Sequence, residues 1–552
     1  MAETISTAPR LVGPSVDRLG TGRRAILGAA LGASVTAGGV ARRAAAASSV
    51  AVLRSPEQLR SAYDHVIVGA GSAGCVLAHR LSRAGRHILI IEAGEVATLP
   101  EIAYPPDWPA LQGSQVDWRY ETTPQPGLGG RVVTCPRGKV VGGSSAINAL
   151  AYQRGHRAAY DRWPEGWRYA DLLPYFKRAE TFSGGADAWH GGDGPLHVLA
   201  LAGVADRTPI AGAFVEAAQE RNFSYASDIG GATPTGAGWN QLSVRDGVRD
   251  DAATAYLGAL EGPVVDLLVD TRVIGLALER GRCVGVQLTD RVVRPDGDVL
   301  LCAGAIDSPR FLMLAGIGPA ADLMALGLPV ARDLPEVGRN LEDHLLVAGV
   351  AYEALREVPR SHYNHADSLL YVPRAPNESP ELLVMCLSLP FVTPAVGKLP
   401  APAYVLVPCL MRPQSRGRVR LASADPVAPA LIDPNYLADP ADLEALADGV
   451  ALARDIGAAA AFAGWRAREV YPGPAAAGRA DLRVFVRRAA NSFHHPTGTC
   501  AIGAVVDTAL RVYGIAGLRI VDASVFPSIP QSMVNAATIA VAERASDLIL
   551  MG

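Results

Sequence analysis

The fold is decided by the stretch DHVIVGAGSAGCVLAHRL (64–81), followed after a short gap by ILIIEAG (88–94). The first apolar run predicts a buried strand, the glycine-rich turn ends it, and the apolar periodicity that follows predicts an amphipathic helix. The second apolar run predicts another strand, which ends at the acidic residue Glu92. The order strand, glycine turn, helix, strand and acid is that of a dinucleotide-binding βαβ unit.

Each glycine of the turn has its own task in such a unit. Gly69 permits the tight turn, Gly71 lets the backbone approach a pyrophosphate, and Gly74 lets the helix pack on the strand. The N–H groups at the helix start then face the phosphates. Glu92 lies 21 residues after Gly71, which is the spacing of an acid that binds a ribose hydroxyl. A glycine-rich turn also occurs in ordinary α/β domains, but the complete unit favours a dinucleotide site.

Length and composition are typical of a large enzyme. The chain has 552 residues, of which 49% are hydrophobic and 19% charged, so it can build a sizeable core in two or three units. The net charge of −3 does not indicate a nucleic-acid-binding protein, which is typically basic. The cysteines are odd in number and contain no C-x-x-C pair, which predicts neither a disulfide framework nor a metal site. We expect free thiols, mostly buried, at Cys75, Cys135, Cys283, Cys302, Cys386, Cys409 and Cys500.

The first fifty residues are typical of a targeting segment rather than of a folded domain. Arg23 and Arg24 precede a weakly apolar run, 25–41, and the alanines at 44–47 offer small-residue cleavage positions. This pattern predicts a twin-arginine export signal over 1–50, and hence a periplasmic or secreted protein. A disordered alanine-rich extension of a cytoplasmic protein is the alternative. No other segment reaches the ~18 apolar residues of a membrane span, so no transmembrane anchor is expected.

Further stretches predict more strands of the same sheet. Strands are expected at 264–269, at 299–304 and at 518–521, and the last of them ends at Asp522. A helix is expected to begin at 308–309, because a serine cap followed by proline is a good start signal.

The rest of the chain predicts a second domain and a closing helix. Scattered prolines, short alternating runs and an alanine-rich helix near 441–463 predict antiparallel strands with helices over 345–480, as in a substrate-covering domain. The closing helix is expected over 539–550, opened by 535–538. The small residues at 142–145 would let the backbone pass a flat ring or a diphosphate without obstruction.

Four motifs, in order along the chain, carry a resemblance to a known family. They are the unit at 64–94, GKVVGGSSAIN (138–148) with Tyr152 and Arg154, GAIDSP (304–309) with GIG (316–318), and HPTGTC (495–500) with Asn535. On these motifs the chain resembles the glucose–methanol–choline (GMC) oxidoreductases, FAD enzymes that oxidise alcohols. The match runs from Tyr63 to the end, and Ala315 stands where the family usually has serine.

The resemblance implies an α/β fold, in which a Rossmann-like FAD-binding domain is joined to a discontinuous α+β substrate-binding domain. The FAD-binding domain is expected to comprise 60–150, 200–340 and 485–552, and the substrate-binding domain 151–199 and 341–484. Members that attach FAD covalently can do so through a histidine near the glycine–serine loop. Here that region reads Ala146-Ile147-Asn148, so non-covalent FAD is expected.

The resemblance also implies which residues hold the cofactor. The loop up to Asn148 would lie along the flavin and pyrophosphate, and Val273 would touch the adenine through its backbone. The residues at 522–523 and 535–538 would contact the ribityl chain and the ring. The full set expected to bind FAD is Gly69, Gly71, Ser72, Ala73, Gly74, Glu92, Ala93, Val141, Gly143, Ser144, Asn148, Ala149, Leu150, Ala151, Val273, Asp522, Ala523, Asn535, Ala536 and Thr538.

Alcohol oxidation needs a base, because a hydroxyl is a very weak acid and must lose its proton while hydride leaves the adjacent carbon for flavin N5. Histidine, with an ordinary pKa of about 6.5, suits that task near neutral pH. His494 and His495 are adjacent, and neighbouring side chains of an extended segment point to opposite faces, so one of them should face the substrate. Pro496 favours extended geometry at His495, and the family motif places the base directly before proline. His495 is therefore predicted as the base, and His494 as a residue that packs or that supports the site from behind.

Asn535 is predicted as the partner of His495. An amide does not compete for the proton near neutral pH, yet it can donate and accept hydrogen bonds and so fix the substrate hydroxyl. The resemblance implies a His/Asn pair here, where other members carry a second histidine. A simple helix cap is the alternative role for Asn535.

The substrate is weakly encoded in the sequence. Tyr104, Trp108 and 360–367 are expected as pocket walls from the resemblance, and no aromatic cage with a carboxylate is recognisable, which disfavours choline. The expected reaction is oxidation of a primary or aromatic alcohol to the aldehyde, with oxygen or a quinone or cytochrome as electron acceptor.

Other functions are open on the same scaffold. They are a pyridoxine-type oxidase, a hydroxynitrile-lyase-type enzyme without net redox, and a flavin-binding protein without turnover. The intact pair of His495 and Asn535 argues against the last of these. A nicotinamide-dependent dehydrogenase is disfavoured, because such an enzyme has no role for the C-terminal block.

Overall fold

The fold comes from a computed structural model, which describes residues 51–96, 98–232, 234–260, 265–375 and 378–552. The export signal predicted at 1–50 lies outside these residues. Within them the predicted α/β class is confirmed, because a parallel sheet with helices is joined to a large, mostly antiparallel sheet with helices of its own.

The parallel sheet carries the dinucleotide-binding unit. From His65 onward its strands are short, mostly apolar and mostly buried, as befits a parallel sheet that helices cover. The strand predicted at 518–521 returns to this sheet, which joins the end of the chain to its beginning. Across the sheet, the strands of the described chain are Ala51–Leu53, Val265–Leu268, Ile88–Ile91, His65–Val68, Val299–Leu301 and Leu518–Ile520.

The helix Ser72–Arg83 lies directly on the sheet, and glycine makes this close approach possible. A Cβ atom at Gly74 would lie 2.0 Å from the carbonyl oxygen of Gly69 and 3.3 Å from Cγ2 of Ile67. Gly69 has a φ angle of +100°, in the region that side chains rarely adopt. The tight turn predicted for Gly69 and the close packing predicted for Gly74 are thus confirmed.

The helix predicted to begin at 308–309 spans Gly304–Leu314 instead, so the serine is not its cap. Pro309 lies inside this helix and has no N–H to donate to the carbonyl of Ala305, four residues earlier. The hydroxyl of Thr499 donates to that carbonyl oxygen at 2.7 Å. The proline is therefore tolerated, because a distant side chain satisfies the acceptor that it leaves open.

The antiparallel sheet occupies much of the middle region, as predicted. The strand Leu345–Val347 pairs with Ala403–Leu410 and with Ala490–Ser492. The helix predicted near 441–463 spans Pro440–Gly457 and packs on this sheet. In the described ranges the order of the main strands is Arg466–Tyr471, Val350–Ala354, Ala403–Leu410, Pro380–Leu387, Ser368–Pro373, Gly236–Trp239 and Tyr225–Ala226.

The remaining elements are shorter helices and small sheets. The closing helix begins at Val534, one residue before the stretch 535–538 that was predicted to open it. Further helices in the described chain are Pro100–Ala103, Trp108–Leu111, Arg157–Tyr160, Tyr169–Ala179, Pro209–Glu220, Ala320–Ala325, Arg479–Ala489 and Val534–Met551, with a π-helix at Ala253–Leu257. Small sheets contain Tyr120–Glu121, Thr134–Cys135, Glu180–Phe182, Leu196–Ala200, Gln241–Leu242, Val244–Arg245, Val248–Arg249, Gly275–Glu279, Arg282–Gln287, Val292–Val293, Ile317–Gly318, Arg332–Asp333, Arg418–Arg420 and Leu431–Asp433.

The packing of 151–199 differs from the predicted domain division. This range was expected in the substrate-binding domain, but Trp163 and Phe176 belong to the same hydrophobic core as the parallel sheet. The helix Tyr169–Ala179 also packs along the closing helix Val534–Met551. Residues 151–199 therefore pack largely as part of the FAD-binding domain.

Two other boundaries also differ. The strands Tyr225–Ala226 and Gly236–Trp239 were expected within the FAD-binding range 200–340. They belong instead to the antiparallel sheet, where Gly236–Trp239 pairs with Ser368–Pro373. The strand Ala490–Ser492, expected after the boundary at 485, also pairs in that sheet. The physical reason is that hydrophobic periodicity predicts a strand or helix but carries no information on which sheet it joins.

Two expectations from composition concern thiols and membrane spans. The seven cysteines are free and buried, as expected, and burial raises the pKa of the Cys135 thiol to about 12. No helix in the described ranges is both long and apolar enough to cross a membrane.

Replacing Gly74 should destabilise the fold. In the Gly74→Ala variant the new methyl group would meet the Gly69 carbonyl oxygen, and we expect the free energy of unfolding to fall by about 1–3 kcal/mol. Urea unfolding followed by circular dichroism measures this. Gly464→Ala is the matched control, since nothing lies within 4 Å of its added Cβ, and it should stay within about 0.5 kcal/mol. Equal stability of the two variants would contradict the packing argument.

Candidate active site

A cavity lies at the carboxyl ends of the parallel strands, between the two sheets. Val68, Ile91 and Cys302, which end or directly follow three of those strands, line it. Leu346 and Met385 of the antiparallel sheet line its other side. Ligands of open α/β sheets bind outside the carboxyl ends of the strands, so the cavity is where a dinucleotide should bind.

Most residues predicted to bind the cofactor line this cavity. Gly74, Val141 and Ala536 do not line it and are buried in the elements around it. His495 lies in the same lining, so the catalytic and cofactor predictions refer to one site. The predicted residues in the lining are Gly69, Gly71, Ser72, Ala73, Glu92, Ala93, Gly143, Ser144, Asn148, Ala149, Leu150, Ala151, Val273, Asp522, Ala523, Asn535 and Thr538.

Two helices begin at the cavity and are joined there by a hydrogen bond. Ser72, the first residue of Ser72–Arg83, donates from Oγ to Oδ1 of Asn535 at 2.7 Å. Asn535 is the second residue of Val534–Met551, whose cap is Met533, so the alternative role of helix cap is excluded. Both helix starts present N–H groups and a positive dipole end, which favours a pyrophosphate and negative charge on a flavin.

The small-residue loop lies against the dinucleotide turn. Gly143 has a φ angle of +54°, and a Cβ atom there would lie 2.6 Å from Cα of Gly71. The two backbones therefore meet without side chains between them, as passage along a diphosphate requires. Asn148, at the end of the loop, is fixed by Arg249, whose guanidinium donates to Oδ1 at 2.8 Å.

Glu92 is buried at the end of the strand Ile88–Ile91. Its carboxylate accepts hydrogen bonds from the backbone N–H groups of Ala70 at 2.9 Å and Gly94 at 2.8 Å. Burial raises the pKa of Glu92 to about 7, against the opposite effect of these donors. Each carboxylate oxygen keeps a lone pair for a further donor, so this residue fits a ribose hydroxyl.

The segment that carries the two adjacent histidines is fixed by a buried carboxylate. Asp343 accepts a hydrogen bond from the backbone N–H of His495 at 2.7 Å. It also accepts from the hydroxyl groups of Ser492 at 2.6 Å and Tyr436 at 2.5 Å. Burial raises the pKa of Asp343, while these donors and the nearby guanidinium of Arg137 lower it. One side chain thus ties three parts of the chain together.

His494 does not follow the predicted alternation of faces. Its φ angle is +66°, a left-handed conformation that is uncommon for residues other than glycine. Arg137 donates to its carbonyl oxygen, and its backbone N–H donates to Oγ of Ser492 at 2.8 Å. As a result both His494 and His495 line the cavity. The expectation that one of them packs away is wrong, because alternation holds only for extended backbone.

The ring of His495 is held by two neighbouring rings. Its Nδ1 lies 3.0 Å from Nδ1 of His344, and its centroid lies 4.5 Å from that of Phe493. Burial lowers the pKa of His495 well below its ordinary value, and His344 and Arg137 lower it further. The imidazole is therefore neutral at neutral pH and able to accept a proton.

The predicted pocket walls are found in part. Trp108 lines the cavity, together with Asn364 and Ala366 of the segment 360–367, whereas Tyr104 is absent from the lining of the described residues. The segment 360–367 thus contributes to the cavity wall, but through only some of its side chains.

His344, Asp343 and Arg137 are site residues that the sequence reasoning missed. The first two belong to LEDHLLV (341–347), where three titratable residues interrupt an apolar run. Charged side chains are rarely buried without partners, so this run was a usable signal. Arg137 gives no comparable signal, because a lone arginine beside a loop is ordinary in a surface segment.

Comparison with known proteins gives the family. The profiles of the GMC oxidoreductase family match this chain at 63–346 and at 413–542. The chain is a GMC oxidoreductase. FAD is the cofactor of this family, and the paired helix starts, the small-residue loop and Glu92 form a site that fits it.

Relatives of this GMC oxidoreductase act on alcohols. It is 36% identical over 536 residues to the mitochondrial choline dehydrogenase of Mus musculus, which covers 88% of this chain and 89% of that protein. It is 35% identical to an alcohol dehydrogenase (acceptor) of Pseudomonas putida, over 88% of this chain and 96% of that one. The solved structure of pyridoxine 4-oxidase from Mesorbium loti is similar, with a TM-score of 0.84, 37% identity and coverage of 88% and 98%. This chain is therefore an FAD-dependent oxidoreductase that acts on CH–OH donors.

Removing the Asp343 carboxylate should disable this GMC oxidoreductase. In Asp343→Ala three donors lose their acceptor, so we expect about 1–3 kcal/mol less stability and at least about tenfold slower reduction of FAD by alcohol. Stopped-flow absorbance measures the rate per bound FAD. Asp442→Ala is the control, because this buried carboxylate also accepts three hydrogen bonds but lies outside the FAD cavity. An equal rate in both variants would contradict the role of Asp343.

Proposed function

We propose that this GMC oxidoreductase oxidises a primary or aromatic alcohol to the aldehyde, with His495 as the base that removes the hydroxyl proton. The observation that carries the proposal is the neutral His495 imidazole in the cavity lining, with Nδ1 directed at His344. Its other nitrogen, Nε2, is then the one available to a substrate. The same lining contains both helix starts, so the base and the cofactor serve one reaction.

The residues divide the chemistry between them. FAD, when bound, would supply the acceptor for the hydride that leaves the carbinol carbon. His495 takes the hydroxyl proton at Nε2, for which a low pKa keeps it unprotonated at neutral pH. Oδ1 of Asn535 accepts from Ser72, which leaves its NH₂ group to donate to the alcohol oxygen and hold it in place.

The walls near His495 favour an uncharged substrate. The antiparallel sheet and the adjoining segments contribute apolar side chains that pack in one cluster, and the carboxylates of the described lining, Glu92, Asp307 and Asp522, all come from the FAD-binding domain. Each of them is already hydrogen-bonded. A cationic alcohol such as choline would therefore meet no carboxylate beside the base. The apolar lining residues of this cluster are Ala151, Leu346, Met385, Leu387, Phe391, Phe493 and Met533.

The decisive experiment is anaerobic reduction of the bound FAD by a panel of alcohols. We expect benzyl-type or other apolar primary alcohols to bleach the flavin absorbance, pyridoxine to be a weaker or equal substrate, and choline to reduce it slowest. A lyase on the same scaffold would leave the spectrum unchanged with every alcohol. Choline as the fastest reductant would overturn the substrate proposal, and repeating the assay with oxygen and with an artificial acceptor identifies the oxidant.

Replacing His495 should stop FAD reduction while FAD stays bound. In His495→Ala we expect the limiting rate to fall by about 10²–10⁴, the usual contribution of a positioned base. In wild type the rate should be constant at and above neutral pH and fall only well below pH 6.5, where protonation of His495 removes the base. His494→Ala is the matched comparison from the same lining and should lose less than about tenfold. Equal losses in both variants would reject His495 as the base.

The location of the enzyme is a separate proposal. We propose that residues 1–50 direct export of the folded protein, on the pattern of Arg23 and Arg24 before a weakly apolar run. An exported enzyme would pass electrons to oxygen or to a membrane quinone or cytochrome. Fractionation of cells that express the full chain or a chain lacking 1–50 tests this directly.

A further inference from the structure

His344 stands directly behind the base but outside the cavity. Its side chain is fully buried and absent from the described cavity lining, whereas His495 is part of that lining. The two rings meet edge to face, with an interplanar angle of 85° and 5.2 Å between centroids. The atoms that meet are the two Nδ1 nitrogens, 3.0 Å apart. Among the described residues, His344 is the hydrogen-bond partner of the His495 ring.

In this contact only one of the two Nδ1 nitrogens can carry a hydrogen, because the other has to accept it. Burial lowers the pKa of His344 to about 3, and that of His495 also falls well below 6.5, so both rings are neutral at neutral pH. A neutral imidazole has one N–H and one bare nitrogen. If His495 donates from Nδ1, its Nε2 is bare and able to accept a proton. If His344 donates, Nε2 of His495 carries the proton and cannot act as a base.

The first arrangement is the one that the role of His495 as base requires. Nδ1 of His495 is turned toward His344, so the nitrogen left for the substrate is Nε2, which can accept a proton only if the ring's own proton is on Nδ1. Among the described residues, Nε2 of His344 has no hydrogen-bond partner, so nothing there fixes the opposite arrangement. His344 then carries its own proton on Nε2 and offers a lone pair at Nδ1.

We propose that His344 is a positioning residue, whose Nδ1 accepts the Nδ1–H of His495 and so keeps Nε2 of His495 bare for the alcohol. The proposal rests on the proposed role of His495 as base. In the reaction the O–H bond of the alcohol would break and an N–H bond would form at Nε2, while the carbinol C–H bond would break and its hydride would pass to FAD, when bound. The lone pair of His344 then stabilises the Nδ1–H of the resulting imidazolium, as the partner of a catalytic histidine does elsewhere.

The neighbourhood makes such support necessary. Arg137 and His494 both act against a positive charge on His495, and the carboxylate of Asp343 is engaged by the backbone N–H of His495 rather than by its ring. No carboxylate in the described part of the chain is hydrogen-bonded to the ring. The neutral acceptor at His344 is thus what the site provides in place of a carboxylate.

The test compares two substitutions at this position. His344→Leu removes the acceptor, and we expect the limiting rate of FAD reduction to fall about 10- to 100-fold with KM changed less than about threefold. His344→Asn keeps an oxygen near the place of Nδ1 and should recover most of the rate. His79→Leu is the control, because it removes another buried neutral histidine, in the helix Ser72–Arg83 and outside the cavity lining. It should lower stability but not the rate per bound FAD.

A second measurement is independent of turnover. In holoenzyme labelled with ¹⁵N-histidine, NMR shifts distinguish protonated from bare ring nitrogens, and His495→Ala assigns the signals. We expect a bare Nε2 and a protonated Nδ1 for His495 in wild type, and loss of this single form in His344→Leu. A protonated Nε2 in wild type, or an unchanged rate in His344→Leu, would overturn the proposal. If no alcohol reduces FAD but the NMR result holds, the proposed function fails while the positioning role stands.

Discussion

The structure depends on one buried carboxylate at the junction of its two domains. Asp343 lies two residues before the strand Leu345–Val347 of the antiparallel sheet, and its oxygens accept hydrogen bonds from the side chain of Ser492 and the backbone N–H of His495 on the segment that returns to the FAD-binding domain. A buried charge is stable only where donors and nearby cations replace the lost water. Without the Asp343 carboxylate, residues 492–495 would lose these hydrogen bonds. In an extended backbone there, the side chains of His494 and His495 would point to opposite faces.

The sequence predicted those strands, turns and helices that are determined by interactions over a few residues. The unit at 64–94 was placed correctly, since apolar runs, glycine geometry and the acid at its end all act over a few residues. The strand at 518–521 was predicted from its apolar run, and the position of His495 in the cavity from the family motif. The resemblance supplied the cofactor-lining residues, most of which converge on one cavity.

What the sequence could not predict was set by contacts between distant residues. The helix start at Gly304 was missed, because Pro309 is tolerated only through the hydroxyl of Thr499, 194 residues after Ala305. His494 takes a left-handed conformation that Arg137 supports from 357 residues away. Local secondary-structure propensity does not depend on either of these long-range contacts. The predicted domain boundaries differ from the packing for the same reason.

The cavity draws its lining from Val68 to Thr538, so most of the chain has to be made before the site exists. On the ribosome, the glycine turn emerges long before its partner helix Val534–Met551, and it can offer FAD only part of a binding surface. Stable capture of the cofactor is therefore one of the last events in biogenesis. If residues 1–50 act as an export signal, the yellow colour of stably bound flavin would mark a chain whose final helix has docked before transport.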